Sequence, residues 1–370
     1  MIIENGQVFT KDLLFKKQNC YVSGEQIVNN ATGECIDAKG LYVIPGLIDI
    51  HLHGCMGADF CDGTPEALDT ISTYLAQNGI TTFAPASMTL NEEQLTGIFK
   101  NAHDYKNPKG ALLMGINMEG PFLSNAKKGA QNPKYLTAPN SALFRRLNKA
   151  SGHLIKLFTL APECEGGLEA IDTLKDEVII SIGHTTANYD LASEAFRRGA
   201  RHVTHLFNAM APFTHREPGL VGAASDAENV MVELISDGVH IHPAMIRAAF
   251  KIFTDDRMVL ISDSMMATGL SDGEYSLGGQ AVHVSGNLAT LADGTIAGSA
   301  TNLMDCLRKA VSFGIPLESA LKMATVNPAK VLGETDVIGS LEPGKLANIV
   351  LLDKDLNVVK VIVKGKSLEN

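Results

Sequence analysis

An alternation of short apolar runs with amphipathic stretches constrains this 370-residue chain more than any other feature of its sequence. Strand-like runs of apolar residues lie at 46–53, 81–85, 112–119, 154–160, 178–184, 202–205, 230–235 and 258–263. Helical periodicity fills most of the gaps, at 65–78, 92–104, 141–150, 168–175, 189–198 and 243–253, and follows late at 301–313. Strands that alternate with helices predict a parallel sheet, and eight such strands close into a barrel of about 250 residues. The sequence therefore predicts an α/β protein built on a TIM-like (β/α)8 barrel.

The two ends of the chain differ from the middle, because their strand-like runs have no helices between them. Runs at 2–3, 27–28 and 41–44 precede the barrel, and runs at 347–352 and 358–363 follow it. Asn5 and Gly6 form a dipeptide that is typical of a β-hairpin. We predict a small β-sandwich domain formed from both termini, residues 1–45 and 334–370, and a barrel domain at 46–333. Glycine-rich residues 264–298 predict a β-hairpin insertion in the barrel domain.

Charge and cysteine content exclude several classes of partner. The 31 basic and 41 acidic residues give a formal net charge of −10, which argues against nucleic acid or an anionic membrane as a partner. No apolar run approaches the ~20 residues of a membrane span, and the first residues do not resemble a secretion signal. Six cysteines in a chain of this length predict reduced thiols in a cytoplasmic enzyme. Cys55 and Cys61 lack zinc-knuckle spacing, so we interpret them as loop residues whose role stays open.

Two histidines follow the first barrel strand with a spacing that suits a metal ion. His51 and His53 alternate with Ile50 and Leu52, so on a strand both imidazoles face the same side. Gly54 then ends the run. Neutral imidazoles are the commonest metal ligands in proteins. The alternative interpretation is two polar side chains on a half-exposed strand.

Four more groups that can bind metal or carry protons lie at predicted strand ends. Glu119 ends strand three before a rigid Gly-Pro turn, His184 ends strand five, His205 ends strand six and Asp263 ends strand eight. Carboxyl ends of barrel strands are where active sites form. Taken singly, His184, His205 and the nearby His202 could be packed core histidines, and Asp263 could cap the segment that follows it. Placement of the whole set at strand ends favours one shared site.

Nitrogen and oxygen ligands without a thiolate favour Zn²⁺ or Fe²⁺ over Ca²⁺ or Mg²⁺. A bound ion of this kind lowers the pKa of water from ~15.7 to roughly 7 and polarises a carbonyl group. Asp263 is a candidate to take the proton of that water and to return it to a leaving group. The set therefore predicts attack on an amide or imine carbon.

These residues together resemble the amidohydrolase superfamily, which has His-x-His on strand one, histidines ending strands five and six, and an aspartate ending strand eight. Many members carry a carbamylated lysine at the end of strand four, whereas Lys156 here lies in mid-strand and the carboxylate is Glu119 on strand three. Further motifs resemble the branch that acts on N-acetyl-D-glucosamine 6-phosphate. They lie at 118–122, 128–133, 183–185, 205–210, 216–219, 237–240 and 262–263.

The resemblance implies removal of the acetyl group from that amino-sugar phosphate, with attack by hydroxide formed at the metal. It implies that Glu119, His184 and His205 are the principal metal ligands and that Asp263 is the general acid and base. His51 and His53 match second-metal ligands that only some members keep. One or two ions, Zn²⁺ or Fe²⁺, are therefore expected, with Glu119 as the bridging ligand if both sites are filled.

The resemblance also implies a set of substrate-binding residues. They are Ala130, Gln131, Asn208, Ala209, Arg216, His240, Ile296, Ala297 and Gly298. The counterpart of Arg216 reaches across a dimer interface, which implies a homodimer, and an arginine fork suits a phosphate. His240 is preferred over His242 because it lies closer to the end of strand seven. Relatives often have histidine at position 131, so the effect of Gln131 stays open.

Two alternatives remain at this point. Within the same class, the substrate could be a different N-acetyl sugar phosphate such as the galactosamine epimer, or the chain could be another amidohydrolase. Outside that class, it could be an inactive barrel scaffold, although such proteins usually lose the metal ligands that are all present here.

Overall fold

The computed structural model describes residues 1–106 and 110–368, and this part of the chain contains ten α-helices. They are α1 (Pro65–Gln77), α2 (Glu92–Asp104), α3 (Ser141–Ala150), α4 (Gly167–Leu174), α5 (Tyr189–Arg198), α6 (Gly219–Asp226), α7 (Pro243–Arg257), α8 (Leu303–Ser312), α9 (Leu317–Ala324) and α10 (Val326–Leu332). Five of them begin at a side chain that accepts a hydrogen bond from the backbone N–H three residues later, which satisfies one of the free donors of the first turn. These N-cap residues are Thr64, Asn91, Asn140, Asn188 and Asn302.

The same residues contain 24 β-strands. Before the barrel lie β1 (Ile2–Glu4), β2 (Gln7–Phe9), β3 (Phe15–Lys17), β4 (Cys20–Ser23), β5 (Gln26–Val28), β6 (Cys35–Asp37) and β7 (Tyr42–Pro45). The central part has β8 (Leu47–Asp49), β9 (Gly54–Cys55), β10 (Ala58–Asp59), β11 (Ile80–Phe83), β12 (Leu112–Leu113), β13 (Ile116–Glu119), β14 (Ile155–Leu160), β15 (Ile179–Ile182), β16 (His202–Val203), β17 (Met231–Ile235) and β18 (Met258–Ile261). After these come β19 (Gly273–Leu277), β20 (Gln280–Ser285), β21 (Leu288–Thr290), β22 (Ile349–Leu352), β23 (Val358–Val363) and β24 (Lys366–Ser367).

Each of the eight predicted barrel strands is present, and together they form the predicted barrel. Parallel ladders join β8, β11 and β12, and a second parallel sheet runs in order from β13 to β18. Between these two sheets, Asn117 pairs with Ala86, and the backbone N–H of Asn117 donates to the carbonyl of Pro85 at 2.9 Å. The third predicted strand is interrupted, because β12 and β13 are separate segments.

Strands one and eight close the barrel through side chains as well as backbone. The N–H of Asp263 donates to the carbonyl of His51 at 2.9 Å, and the N–H of His53 donates to that of Ser264 at 2.7 Å. Deeper in the barrel, the buried Asp49 carboxylate accepts a hydrogen bond from the Ser262 hydroxyl at 2.5 Å. Burial raises the pKa of Asp49 to about 7, although the bond from Ser262 opposes that rise. This closure brings the predicted ligands of strands one and eight side by side.

Both ends of the chain build the two terminal sheets, as predicted for the β-sandwich. One sheet has the order β24-β23-β22-β7-β2-β3, and the other has β5-β4-β1-β6. Their apolar faces share a core that includes Ile3, Val8, Val22, Val43 and Ile349. The division into domains at 45/46 and 333/334 stays a prediction.

The hairpin predicted from Asn5 and Gly6 is wrong. β1 pairs with β4 and β6, whereas β2 pairs with β3 and β7, so the turn carries the chain from one sheet to the other. A Cβ atom on Gly6 would lie 2.6 Å from a methyl group of Val43. Glycine is therefore required because the turn packs against the Val43 side chain, not because two strands reverse.

Three helices were not predicted, namely α6, α9 and α10. α10 contains Pro328, which reads as a helix breaker but lies in the first turn, where a missing N–H costs little. Ala329 and Leu332 of α10 pack with Ile48 and Val259 of the barrel strands in one apolar cluster. α10 therefore covers the apolar interior of the barrel beneath the site.

The predicted hairpin insertion is a three-stranded antiparallel sheet, β19-β20-β21. Leu277 at the end of β19 reaches the cavity described below, and the Gln280 side-chain amide donates to the carbonyl of Ala130. The insertion therefore forms part of the wall over the strand ends.

Within residues 1–106 and 110–368, no helix combines the length and the apolar character needed to cross a bilayer.

Candidate metal centre and substrate cavity

Six polar side chains meet in one buried place where the barrel strands end. They are His51, His53, Glu119, His184, His205 and Asp263, none more than 7% exposed. Two groups form, one of Glu119, His184 and His205 and one of His51, His53 and Asp263, and within each group the ligand atoms lie within 4.8 Å of one another. Every residue that the sequence analysis proposed for metal binding or proton transfer therefore lies in this one place, at the carboxyl ends of the barrel strands.

The first group is the tighter of the two. Oε1 of Glu119 lies 3.0 Å from Nε2 of His184 and 3.1 Å from Nε2 of His205. The two Nε2 atoms are themselves 3.0 Å apart. Three electron-rich atoms in mutual contact need a proton or a cation between them.

The second group lies directly beside the first. Oδ1 of Asp263 is 3.2 Å from Nε2 of His53 and 3.6 Å from Nε2 of His51. Glu119 links the groups, because its oxygens also lie 3.5 Å from His53 and 3.6 Å from His51. The Glu119 carboxylate therefore lies within 3.6 Å of histidines in both groups.

Hydrogen bonds on the far side of three imidazoles decide which nitrogen faces the centre. Nδ1 of His184 donates to the carbonyl of Lys127 at 2.9 Å, and Nδ1 of His53 donates to that of Ala86 at 3.2 Å. Nδ1 of His51 donates to the carboxylate of Glu233 at 2.8 Å. A neutral imidazole has one N–H, so each of these rings presents the Nε2 lone pair to the centre. Lone pairs fixed in this way suit a divalent cation.

The electrostatics of the centre also call for positive charge. Burial raises the pKa of Glu119, but the charge of His51 and contacts with His184 and His205 outweigh it and hold that pKa well below its usual range. The pKa of Asp263 is likewise lowered, with burial opposed chiefly by His53. Burial lowers the pKa of His51, yet carboxylates outweigh it and raise that pKa well above normal. Nε2 of His51 nevertheless has no hydrogen-bond partner among the described residues, so the demand for charge is better met by a cation than by a proton.

Half of the six residues hold an unusual backbone. φ is 48° at His184, 28° at His205 and 50° at Asp263. Non-glycine residues in such conformations cost of order 1–3 kcal/mol each and persist only where neighbours enforce them. Beside His184, the Glu163 carboxylate accepts hydrogen bonds from the backbone and the hydroxyl of Thr186. These backbone conformations therefore lower the stability of the fold but direct the three side chains toward the centre.

A cavity of about 370 Å³ opens over the centre. Seven of the nine predicted substrate residues line it, namely Ala130, Gln131, Asn208, Ala209, His240, Ile296 and Gly298. Ala297 is buried between two of them and does not line the cavity. Arg216 is exposed and lies outside the lining.

Gln131 is engaged with the protein at both ends of its amide. Its Oε1 accepts from the backbone N–H of Thr89 at 2.6 Å, and its Nε2 donates to Oε2 of Glu119 at 2.8 Å. The side chain is 2% exposed. Gln131 was predicted only as a substrate contact, and the structure adds a contact that orients Glu119.

The structure also separates His240 from His242. Nδ1 of His240 donates to the Asp237 carboxylate at 2.8 Å, and the ring lines the cavity. Burial lowers the pKa of His240, but the Asp237 carboxylate outweighs it and raises that pKa above its ordinary value. His242 instead caps α7 by accepting from the N–H of Ala244. His240 is therefore the histidine that can meet a bound molecule.

Three polar residues around the centre were not proposed as site residues from the sequence. Glu233 holds His51, Asp49 ties strand eight to strand one, and Asp237 pairs with His240. Asp49 and Glu233 stand inside otherwise apolar strands, and this is the signal that could have found them, since a buried charge needs a partner.

Sequence and structure comparisons give one consistent group of relatives. Residues 42–368 match the amidohydrolase family. The chain is 41% identical over 330 residues to the N-acetylglucosamine-6-phosphate deacetylase of Bacillus subtilis (strain 168), covering 87% of this chain and 83% of that protein. It is 35% identical over 326 residues to the N-acetylgalactosamine-6-phosphate deacetylase of Escherichia coli O157:H7, covering 87% and 86%.

Among solved structures, a mutant N-acetyl-D-glucosamine-6-phosphate deacetylase of Mycobacterium smegmatis in complex with N-acetyl-D-glucosamine-6-phosphate superposes with a TM-score of 0.94. The two chains are 33% identical, and the match covers 100% of this chain and 99% of that one. The likeness therefore extends over the terminal sheets as well as the barrel.

Proposed function

The chain belongs to the amidohydrolase family, and from that premise we propose that it removes the acetyl group from N-acetyl-D-glucosamine 6-phosphate, giving D-glucosamine 6-phosphate and acetate. The observation that carries the proposal is the meeting of two ligand groups around Glu119 beneath a cavity large enough for a small phosphorylated sugar. An inactive scaffold would have no need to keep six such groups together.

We propose that Glu119, His184 and His205 hold one divalent cation and that His51, His53 and Asp263, with Glu119, hold a second. Nitrogen and carboxylate oxygen ligands suit Zn²⁺ or Fe²⁺. A cation bound here would polarise the acetyl carbonyl and make a water molecule more acidic. The protein supplies the orientation of each ligand, through the hydrogen bonds to the far nitrogens of His51, His53 and His184.

Proton transfer is assigned to Asp263. As a carboxylate it accepts a proton from water as the water oxygen forms its bond to the acetyl carbon. It then gives that proton to the sugar nitrogen as the C–N bond breaks, so that the amine and acetic acid form and the carboxylate is restored; the acetic acid then loses its remaining proton to the amine or to solvent and leaves as acetate. His240, whose raised pKa favours the imidazolium, lies on the cavity wall where it can stabilise negative charge on the carbonyl oxygen or on the phosphate.

We propose that Asn208, Ala209, Ala130, Ile296 and Gly298 contact the sugar, since all five line the cavity. Arg216 lies outside the lining and is exposed. We propose that it reaches the cavity of a second copy and binds the phosphate there, so that the active form is a homodimer. Phosphate held far from the amide would position the reacting carbon.

We place the reaction in the cytoplasm. All six cysteines are free thiols in the structure, which suits a reducing compartment, and the proposed substrate is a phosphorylated metabolite.

The epimer is the open point of specificity, because one relative at 35% identity is named for the galactosamine substrate. The two sugars differ in the orientation of one hydroxyl. We expect the gluco epimer to be preferred, since the relative of 41% identity is named for it.

The test is release of acetate from each epimer by protein purified without chelator, with elemental analysis of the same sample. The proposal expects one or two equivalents of a first-row metal per chain and a higher kcat/KM for the gluco epimer. A higher kcat/KM for the galacto epimer would reassign the substrate. Absence of acetate release from either sugar, with metal supplied, would support the scaffold.

A further inference from the structure

Glu233 is a buried carboxylate that belongs to neither ligand group but accepts hydrogen bonds from one residue of each. It lies in the middle of β17 and is 0% exposed. Its Oε2 accepts from Nδ1 of His51 at 2.8 Å and from the backbone N–H of His205 at 3.0 Å. One oxygen atom thus holds a member of each group.

The contact with His51 has a chemical consequence. An acceptor at Nδ1 requires the neutral ring to carry its proton there, which leaves a lone pair on Nε2. That Nε2 lies 3.6 Å from both Glu119 and Asp263 and has no hydrogen-bond partner within residues 1–106 and 110–368. Without Glu233 the ring could take the other tautomer, in which Nε2 carries the proton and cannot bind a cation.

We propose that Glu233 is a positioning residue for the second cation site, which it makes competent by fixing the tautomer and the orientation of His51. The proposal rests on the two-cation centre proposed above but not on the identity of the substrate. Partners of this kind typically change metal affinity 10–100-fold when they are removed. A merely structural role would instead lower stability and leave the two cation affinities in their normal ratio.

The test titrates metal-free protein with Co²⁺, followed by absorbance and by elemental analysis after gel filtration. Glu233→Met removes the acceptor at similar volume, and Glu233→Gln keeps one acceptor oxygen without the charge. We expect the Met variant to weaken one equivalent of Co²⁺ by 10–100-fold, and the Gln variant to recover most of that loss. The other equivalent should shift less than threefold.

His51→Ala identifies which equivalent is affected, because it deletes the ligand itself. If Glu233 acts through His51, adding Glu233→Met to His51→Ala changes no cation affinity further. Thr159→Val is the matched control, since it deletes another fully buried polar group of the barrel interior, whose hydroxyl is bonded to that of Thr204 rather than to a proposed ligand. That variant should bind both equivalents normally.

Three results would overturn the inference: equal weakening of both equivalents in Glu233→Met, the same loss in the His51→Ala background, or a wild-type protein that binds fewer than two equivalents. The readout is independent of the reaction. A protein that binds two equivalents of Co²⁺ but releases no acetate would contradict the proposed function and leave the proposed role of Glu233 intact.

Discussion

Asp263→Asn tests the proposed chemistry most directly, because it keeps the shape of the side chain and removes its ability to take a proton. General acid–base groups contribute about 10²–10⁴-fold to rate. The structure favours the upper half of that range, because Glu119, the other carboxylate among the described residues that line the cavity, is directed at the proposed cations, and the imidazole of His240 is held by Asp237. We expect kcat/KM to fall by about 10³–10⁴-fold, or ~4–5.5 kcal/mol of transition-state stabilisation.

The loss should appear in kcat. Asp263 faces the imidazoles of His51 and His53, and nothing in the proposal has it hold the sugar or the phosphate. KM should therefore change by less than about threefold, which a continuous assay of acetate release will measure.

A second variant, whose metal content is compared by elemental analysis, separates proton transfer from metal binding. Asp263→Ala leaves space for a small carboxylic acid, and added formate should restore part of kcat whereas chloride at equal ionic strength should not. Asp255→Asn is the control, because it makes the same carboxylate-to-amide change at a residue bonded to Ser319 and Lys322, outside the cavity lining. A fall of less than tenfold in Asp263→Asn, with its metal content intact, would refute the assignment.

Three further predictions follow from the same geometry. Gln131→Leu removes the hydrogen-bond donor to Glu119 and should weaken metal binding about tenfold, as measured by elemental analysis. An unchanged affinity would mean that this contact does not orient Glu119. Because the pKa of His240 is raised above its ordinary value near 6.5, the imidazole stays protonated to a higher pH than a free histidine. Its positive charge is lost as pH rises through the raised pKa, and KM should then increase. Asp237→Asn should move that increase to lower pH, and comparison of the two proteins cancels the ionisation of the substrate phosphate. Removal of the cations by chelation should abolish acetate release and lower the melting temperature, because a ligand at 100 times its Kd stabilises the folded state by ~2.7 kcal/mol. Re-addition of Zn²⁺ or Fe²⁺ should reverse both effects.

The barrel was predictable because its signals are local and repeated. Most strands are apolar runs followed by a turn and a helix, several of these helices begin at a polar N-cap such as Thr64 or Asn91, and the order of such units leaves few topologies. The signals failed where long-range packing decides. Asn5 and Gly6 permit a hairpin, but the apolar faces of Ile3 and Val8 belong to one core between two sheets, and that core sets the pairing.

The ligands were predictable for a different reason, since position at a strand end is visible in the sequence and is where a barrel places its chemistry. What could not be read is which residue touches which across the barrel. Glu233 is separated from His51 by 182 positions, and its run, Met231–Ile235, resembles any buried strand. The free-energy cost of burying such a carboxylate without a partner would exceed the stability of a typical fold. A glutamate in a buried strand therefore requires a cationic or N–H partner nearby. A charged residue inside an apolar barrel strand thus predicts the existence of a contact, and barrel closure, which only the three-dimensional structure gives, decides that the contact is made to His51.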